Sequence, residues 1–250
     1  MDISLAAETL FHIGSFPVTN TLIVTLCVSA VLIAISFLVK SNMRSVPQGL
    51  QNVLEYAVEA LFNMVDGVTN DREQTKKFFP IVATIFLFVI MSNWVELIPG
   101  LGTIGLHEMK AGKVILVPFI RSASADLNVT LALAIISVVS VQAMGIAALG
   151  FFKYAGKFIV SPFHKPYFIG TFVGILELIG EIAKLISFSF RLFGNIFAGE
   201  VLLAVMLMLV PFFVPLPFLA LEIFVGLIQA LVFSMLTLVF LKMAVTEAAH

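Results

Sequence analysis

Residues 167–210 read YFIGTFVGILELIGEIAKLISFSFRLFGNIFAGEVLLAVMLMLV, without a proline or a loop-like polar cluster. As one α-helix, a segment of this length measures about 65 Å at 1.5 Å per residue. The hydrocarbon core of a bilayer is only about 30 Å thick. Two upright passes would need a turn between them, and no turn is written here. The stretch therefore predicts a single long helix, strongly tilted or near-horizontal over part of its length. It also carries Glu177, Glu181, Lys184, Arg191 and Glu200 in surroundings that should reject charge.

The rest of the chain agrees with a membrane setting. Hydrophobic residues make up 60% and charged residues 12%, with a mean hydropathy of +1.11. A soluble domain holds roughly 45–50% apolar and about 25% charged residues. The fold class is an all-α integral membrane protein. The net charge of −1 suggests no nucleic-acid partner. Cys27 is the single cysteine, so an internal disulfide is impossible, and it reads as a small apolar packing residue. No Lys or Arg precedes Lys40, so the first apolar run reads as a retained span rather than a cleavable leader.

We read one membrane domain over residues 1–250. An outer segment (1–17) leads to a first span at 18–40, an amphipathic helix at 47–70 and a second span at 78–98. An outer loop (99–126), a third span (127–152) and a cytoplasmic loop (153–166) follow. The long helix at 167–210 comes next, then a turn marked by Pro211, Pro215 and Pro217, then a final helix at 218–243 beside it. The architecture is thus about five membrane helices plus an amphipathic one, the last two forming a long tilted hairpin. In the amphipathic segment, Leu50, Val53, Leu54, Ala57, Val58, Leu61, Phe62 and Val65 repeat at helical spacing. That face suits either the membrane surface or the protein's own spans. With the N-terminus outside, Lys40, Arg44, Arg72, Lys76, Lys77, Lys153, Lys157, Lys165 and Lys242 lie on the cytoplasmic side. Only Lys110, Lys113 and Arg121 lie outside, the bias expected of that orientation.

Ionisable residues within spans are functional candidates by default. At about 100° per residue, Glu177, Lys184, Ser187 and Asn195 fall within roughly 40° of Arg191, forming one polar stripe. Glu200 points roughly 180° away, about 13 Å along the axis. Glu222 continues that second region if the last two helices are antiparallel, and it shares a face with Gly226 and Gln229. Simpler roles compete for some of these groups. Lys184 stands at i+3 from Glu181, close enough for a local ion pair. Glu96, beside Trp94, reads as an interfacial anchor. Asp126 is placed to cap the third span, ahead of Asn128. Arg191 has no acid at i±3 or i±4, and its own helix offers it only Ser187 and Asn195. A guanidinium stays protonated, with a pKa above about 12. It can attract a carboxylate and repel cations, but it is a poor proton relay. Gly194, Ala198 and Gly199 thin the surface nearby, so a partner helix can approach and bring the missing acid on another chain.

These residues resemble a known family. RLFGNIFAGE (191–200) is similar to the signature of subunit a of F-type ATP synthases, and SADLNVTLALA (124–134), LIQALVFSMLT around Gln229 and PGLGTIG (99–105) resemble its other motifs in the same order. The resemblance implies a stator with two offset half-channels beside a rotating ring of c subunits. Arg191 matches the family's essential arginine, which holds the ring carboxylate and blocks a proton leak. Glu200 and Glu222 match the outer half-channel, where many relatives carry a histidine in place of one of them, and Asp126 and Asn128 match positions near its mouth. Gln229 and Asn195 match positions near the arginine. Ser187, Lys184, Glu177 and Glu181 match the inner half-channel. The implied partners are the c-ring, b-type peripheral stalk subunits, the soluble catalytic sector indirectly, and lipid. No cofactor or metal is expected, and the chain would have no catalytic chemistry of its own. The implied location is the bacterial inner (plasma) membrane, with the C-terminus cytoplasmic.

A proton- or sodium-coupled secondary transporter is the alternative, and it would show repeated halves. No repeat is visible. A redox subunit would need haem or quinone histidines, whereas His12, His107, His164 and His250 fall at ends or in loops.

Overall fold

A computed structural model of the chain describes residues 6–41, 49–98, 100, 104–110, 113–158 and 169–246. Arg44, most of the PGLGTIG motif, the Pro162–Pro166 punctuation with His164 and Lys165, and His250 lie outside the described residues. Seven helices make up the bulk of the fold: α1 (Asn20–Ser41), α2 (Leu50–Thr69), α3 (Arg72–Val95), α4 (Leu127–Leu149), α5 (Phe151–Phe158), α6 (Ile169–Leu209) and α7 (Pro215–Val245). Five of them, α1, α3, α4, α6 and α7, are long and apolar enough to cross a membrane. Two antiparallel hairpins join them: β1 (Thr9–Ile13) with β2 (Phe16–Thr19), and β3 (Gly105–Lys110) with β4 (Lys113–Pro118). They belong to segments that read as irregular outer connections, because short strands in loops leave little periodic signal.

Local chemistry explains the helix ends. Asp71 caps α3 by accepting from the N–H groups of Glu73 and Gln74. Asn70 closes α2 in the left-handed region at φ 53°, which asparagine tolerates better than most residues. Pro215 and Pro217 sit in the first turn of α7, where a missing N–H costs nothing. Two of the three turn prolines thus start the last helix, and the link from α6 is only residues 210–214.

The core lies where α3, α4, α6 and α7 meet. Ile85, Val89, Leu133, Phe188, Leu192, Ile196, Ala230 and Phe233 are buried together there. Hydroxyl pairs tie the helices across this core: Ser137 with Thr237 at 2.7 Å and Thr130 with Ser189 at 3.3 Å. Such bonds add to close packing where hydrocarbon supplies no hydrophobic drive between helices. By contrast, α1 is loosely attached. Only Asn20, Thr21, Val24 and Val28 are buried along it, and Cys27 is exposed, lining an apolar groove between α1 and α3. In α2 the two sequence alternatives divide the helix. Leu61 and Val65 are buried, Val65 with Phe78 and Val82 of α3 and Leu241 of α7, while Val53 and Val58 stay exposed. Lys242 on α7 donates to the Val68 carbonyl at 2.8 Å, fastening the end of α2 to the bundle.

α6 is one continuous helix of 41 residues, about 60 Å long. Apolar side chains are exposed at both its ends, from Phe172 to Ile179 and from Leu207 to Leu209. An upright helix would push one of these greasy ends into water, so the helix must incline within the bilayer. α7 runs antiparallel to it. Gly199 adjoins Glu222, Phe188 packs at a tilt on Phe233, and Lys184 lies over Phe240.

Candidate functional site

The α6–α7 hairpin carries two polar regions that face different ways. The first surrounds Arg191. Leu192, Phe193 and Ile196 point into the core, and this turns Ser187, Gly194, Asn195 and Ala198 to the open side of α6. Arg191 Nη2 donates to Ser187 Oγ at 3.1 Å, and the guanidinium leans over the Phe188 ring at 6.0 Å. Among the described residues no carboxylate forms an ion pair with it. Asn195 is one turn away on the same open face. Gln229 lies at the same height on α7, since the register that pairs Phe188 with Phe233 sets Arg191 level with Ala230.

Further along this helix, Lys184 Nζ pairs with Glu181 Oε1 at 2.6 Å and sits 4.5 Å above the Phe240 ring. The local pair allowed by sequence spacing is therefore made. Short α5 returns from α4 to cover this end. The Tyr154 ring lies against Gly145, where any side chain would collide with it, and its hydroxyl donates to Gln142 Oε1. Burial pushes the Tyr154 hydroxyl up to about 12, helped by the negative charges of Glu181 and Glu177. Tyr154 thus marks how α4, α5 and the α6 acids converge.

The second region lies on the far face, at the end of the bundle that carries the hairpins. Glu200 is mostly buried and ion-paired to Arg121, whose Nε and Nη2 both donate to its Oε2 at 3.2 and 3.0 Å. Arg121 is only 3% exposed. Glu222, 8% exposed, sets its carboxyl directly over Gly199, and a Cβ there would collide with it. The glycine beside Glu200 is thus the space that Glu222 occupies. Glu96 joins from the end of α3. Its Oε2 accepts from the Ser122 N–H at 3.1 Å, and Ser122 Oγ donates to the Ser92 carbonyl. Glu96 is close enough to feel the charges of Glu200, Arg121 and Glu222, and Glu222 that of Glu200. One turn deeper, Asn93 Nδ2 donates to the Gly226 carbonyl at 3.0 Å. Asn93 Oδ1, Ser92 Oγ and Ser124 Oγ are buried without a protein partner.

Asp126 is separate from this cluster. Its Oδ1 accepts from the N–H and side chain of Asn128 as the cap of α4, and its Oδ2 accepts from Thr21 Oγ1 at 2.7 Å. This is the capping role that the sequence allowed, and it also joins α4 to α1. Two residues of the acidic region read from the sequence as lesser players. Glu96 looked like an anchor beside Trp94, and Arg121 was one loop charge among three. Its position within an apolar run, VPFIRSASA, was the available signal. Among the described residues, no group of three or more His, Cys, Asp or Glu side chains could hold a metal ion.

Comparison with known proteins matches this sequence to one family. Residues 21–242 match the ATP synthase A chain model. The chain is 33% identical to ATP synthase subunit a of Campylobacter concisus, across 89% of this chain and 88% of that one. It is 35% identical to the subunit a of Gloeobacter violaceus, across 91% and 84%. For the subunit a of Moorella thermoacetica the identity is 30%, across 93% of both chains. With residues 21–242 matched to the family model and relatives 30–35% identical over most of both chains, this chain belongs to the ATP synthase A chain family.

Proposed function

We propose that this chain is the stator of a rotary proton translocator and offers two offset half-channels to the carboxylates of a partner ring. The observation that carries this reading is the division of charge on α6. Arg191 faces outward with no acid paired to it among the described residues, while the acidic cluster around Glu200 is turned to the far side and buried. A fixed guanidinium on an open helix face is suited to receive a carboxylate from another subunit. Its permanent positive charge opposes direct passage of a proton from one region to the other.

The hairpin end is the outer side, with Lys40, Arg72, Lys76, Lys77, Lys153 and Lys242 toward the opposite, cytoplasmic end. Protons enter by way of Glu96, Glu200 and Glu222, and pass Asn93 and Gln229 toward the ring. The buried, unpartnered oxygens of Ser92, Asn93 and Ser124 suit ordered waters along that route. Asp126 and Asn128 stabilise the mouth of the route rather than carry protons. On the inner side Glu177, Glu181, Lys184, Ser187 and Tyr154 line the exit, with Asn195 beside Arg191. The partners are the c-ring, b-type stalk subunits and, through them, the soluble catalytic sector. The location is a bacterial plasma membrane, with the N-terminus outside.

The test is Arg191→Ala in the assembled complex. ATP-driven acidification of membrane vesicles is lost and a passive proton leak opens. Normal pumping by that variant would overturn the assignment.

A further inference from the structure

Arg121 has a place in the outer region that no family motif identified above assigns to it. Its guanidinium grips one carboxylate of α6, and Ser122, next in the chain, grips one of α3. Nη1 also donates to the Ala6 carbonyl at 3.3 Å, so the backbone at Ala6 lies against the cluster. Phe197, one turn before Glu200 on α6, lies under the guanidinium at 5.9 Å. Both donors to Glu200 converge on Oε2, which leaves Oε1 without a donor among the described residues. That free oxygen belongs to the same α6 turn as Gly199, over which the Glu222 carboxyl rests.

We infer that Arg121 is a positioning residue of the outer proton path: it holds the Glu200 carboxyl beside Glu222 and supplies the countercharge that sets the pH range over which the outer acids load. The inference rests on the outer half-channel reading above. The titratable groups involved are Glu200 on α6, Glu222 on α7, Glu96 at the end of α3, and Glu8 beside the first hairpin, whose charge reaches Glu200. Asp126 is occupied by its cap and by Thr21. A guanidinium keeps its charge at any working pH. Without that charge the acids hold protons more tightly, because an opposite charge nearby favours the ionised form. The acids are coupled, so the pH midpoint belongs to the cluster rather than to one residue.

The experiment uses the complete complex in proteoliposomes whose lumen faces the outer side. ATP synthesis is measured against lumen pH at a constant membrane potential. In Arg121→Gln, half-maximal synthesis moves to higher lumen pH by about one unit, and the maximal rate per assembled complex falls about tenfold. Arg121→Lys keeps the charge and holds the wild-type midpoint with a reduced rate. A glutamine profile that superimposes on wild type after scaling for assembled complex overturns the inference, because a merely structural loss lowers the rate without moving the midpoint. If Arg121→Gln fails to assemble, R121Q/E200Q restores assembly, since neither partner is left buried and charged alone. Failure of the double variant to recover assembly overturns the pairing. Arg191→Ala is run alongside. Normal pumping there rejects the half-channel reading itself, whereas loss of pumping with an unmoved Arg121→Gln midpoint rejects only the role of Arg121.

Discussion

Gly199→Ala tests whether the outer region depends on the exact seat of Glu222. The added Cβ would overlap both carboxyl oxygens of Glu222. Ordinary contact needs about 3.5 Å, so the carboxyl must retreat by roughly 1 Å or more. The displaced atoms are the far end of a flexible side chain, so little backbone strain follows. Alanine improves a mid-helix position by about 0.5–1 kcal/mol, and an off-rotamer glutamate costs about 0.5–1.5 kcal/mol. These contributions nearly cancel, and thermal stability of the variant in detergent stays within about 1 kcal/mol of wild type. Function does not cancel in the same way. Proton transfer needs hydrogen-bond reach, and a 1 Å misplacement can cost about a hundredfold. ATP-driven pumping in vesicles therefore falls by about ten- to a hundredfold at unchanged assembly. Glu222→Asp in the same background, one methylene shorter, recovers part of the rate. Full pumping by Gly199→Ala at wild-type stability would refute the placement of Glu222 in the path.

Four further outcomes are expected. Among the described residues Gly194→Ala meets no atom beyond its own helix turn within 4 Å, so the isolated subunit keeps its stability; pumping by the assembled complex drops because a partner surface fills that space, and unimpaired pumping would argue against close packing there. Asp126→Ala loses the cap of α4 and the bond from the Thr21 hydroxyl, which keeps Thr19 Oγ1 at 3.1 Å as a partner, a combined loss of about 2–3 kcal/mol in thermal unfolding; a smaller change would mean that α1 and α4 are not joined at this point. Lys242→Met frees the Val68 carbonyl, so amide exchange in the last turn of α2 speeds by about tenfold, while an unchanged rate would show α2 held by packing alone. The Tyr154 hydroxyl ionises near pH 12. Its raised value stabilises the docking of α5 below pH 10, and this contribution is lost as pH rises from 10 through 12. Tyr154→Phe removes the late step from a tyrosinate absorbance titration, and persistence of that step would reassign it.

The sequence carried much of the site. The angular separation of Arg191 from Glu200 follows from helical pitch and one uninterrupted helix, so nothing tertiary was needed to predict it. The Glu181–Lys184 pair and the Asp126 cap are likewise local, set within a few residues of chain. Glu96 and Arg121 were different. Each sits at the end of a segment whose spatial neighbour is distant in sequence, 26 residues away for the Ser122 bond to Glu96 and 79 for the pairing of Arg121 with Glu200. No periodicity reports contacts of that kind. The hairpins and α5 were missed for a related reason, since short elements do not repeat often enough to show a period.

What the sequence determined alone was the membrane class, the run of long apolar helices and the two opposed polar faces of α6. All of these depend on composition and on the fixed geometry of one helix. What only the tertiary structure decided was which charges meet. Arg191 is left on an open face because Leu192, Phe193 and Ile196 fill the core behind it. Arg121 is drawn out of the loop and buried against Glu200 because a charge inside the bundle must find its opposite. Gly199 became a seat for Glu222 only when the antiparallel register of α6 and α7 brought the two residues together.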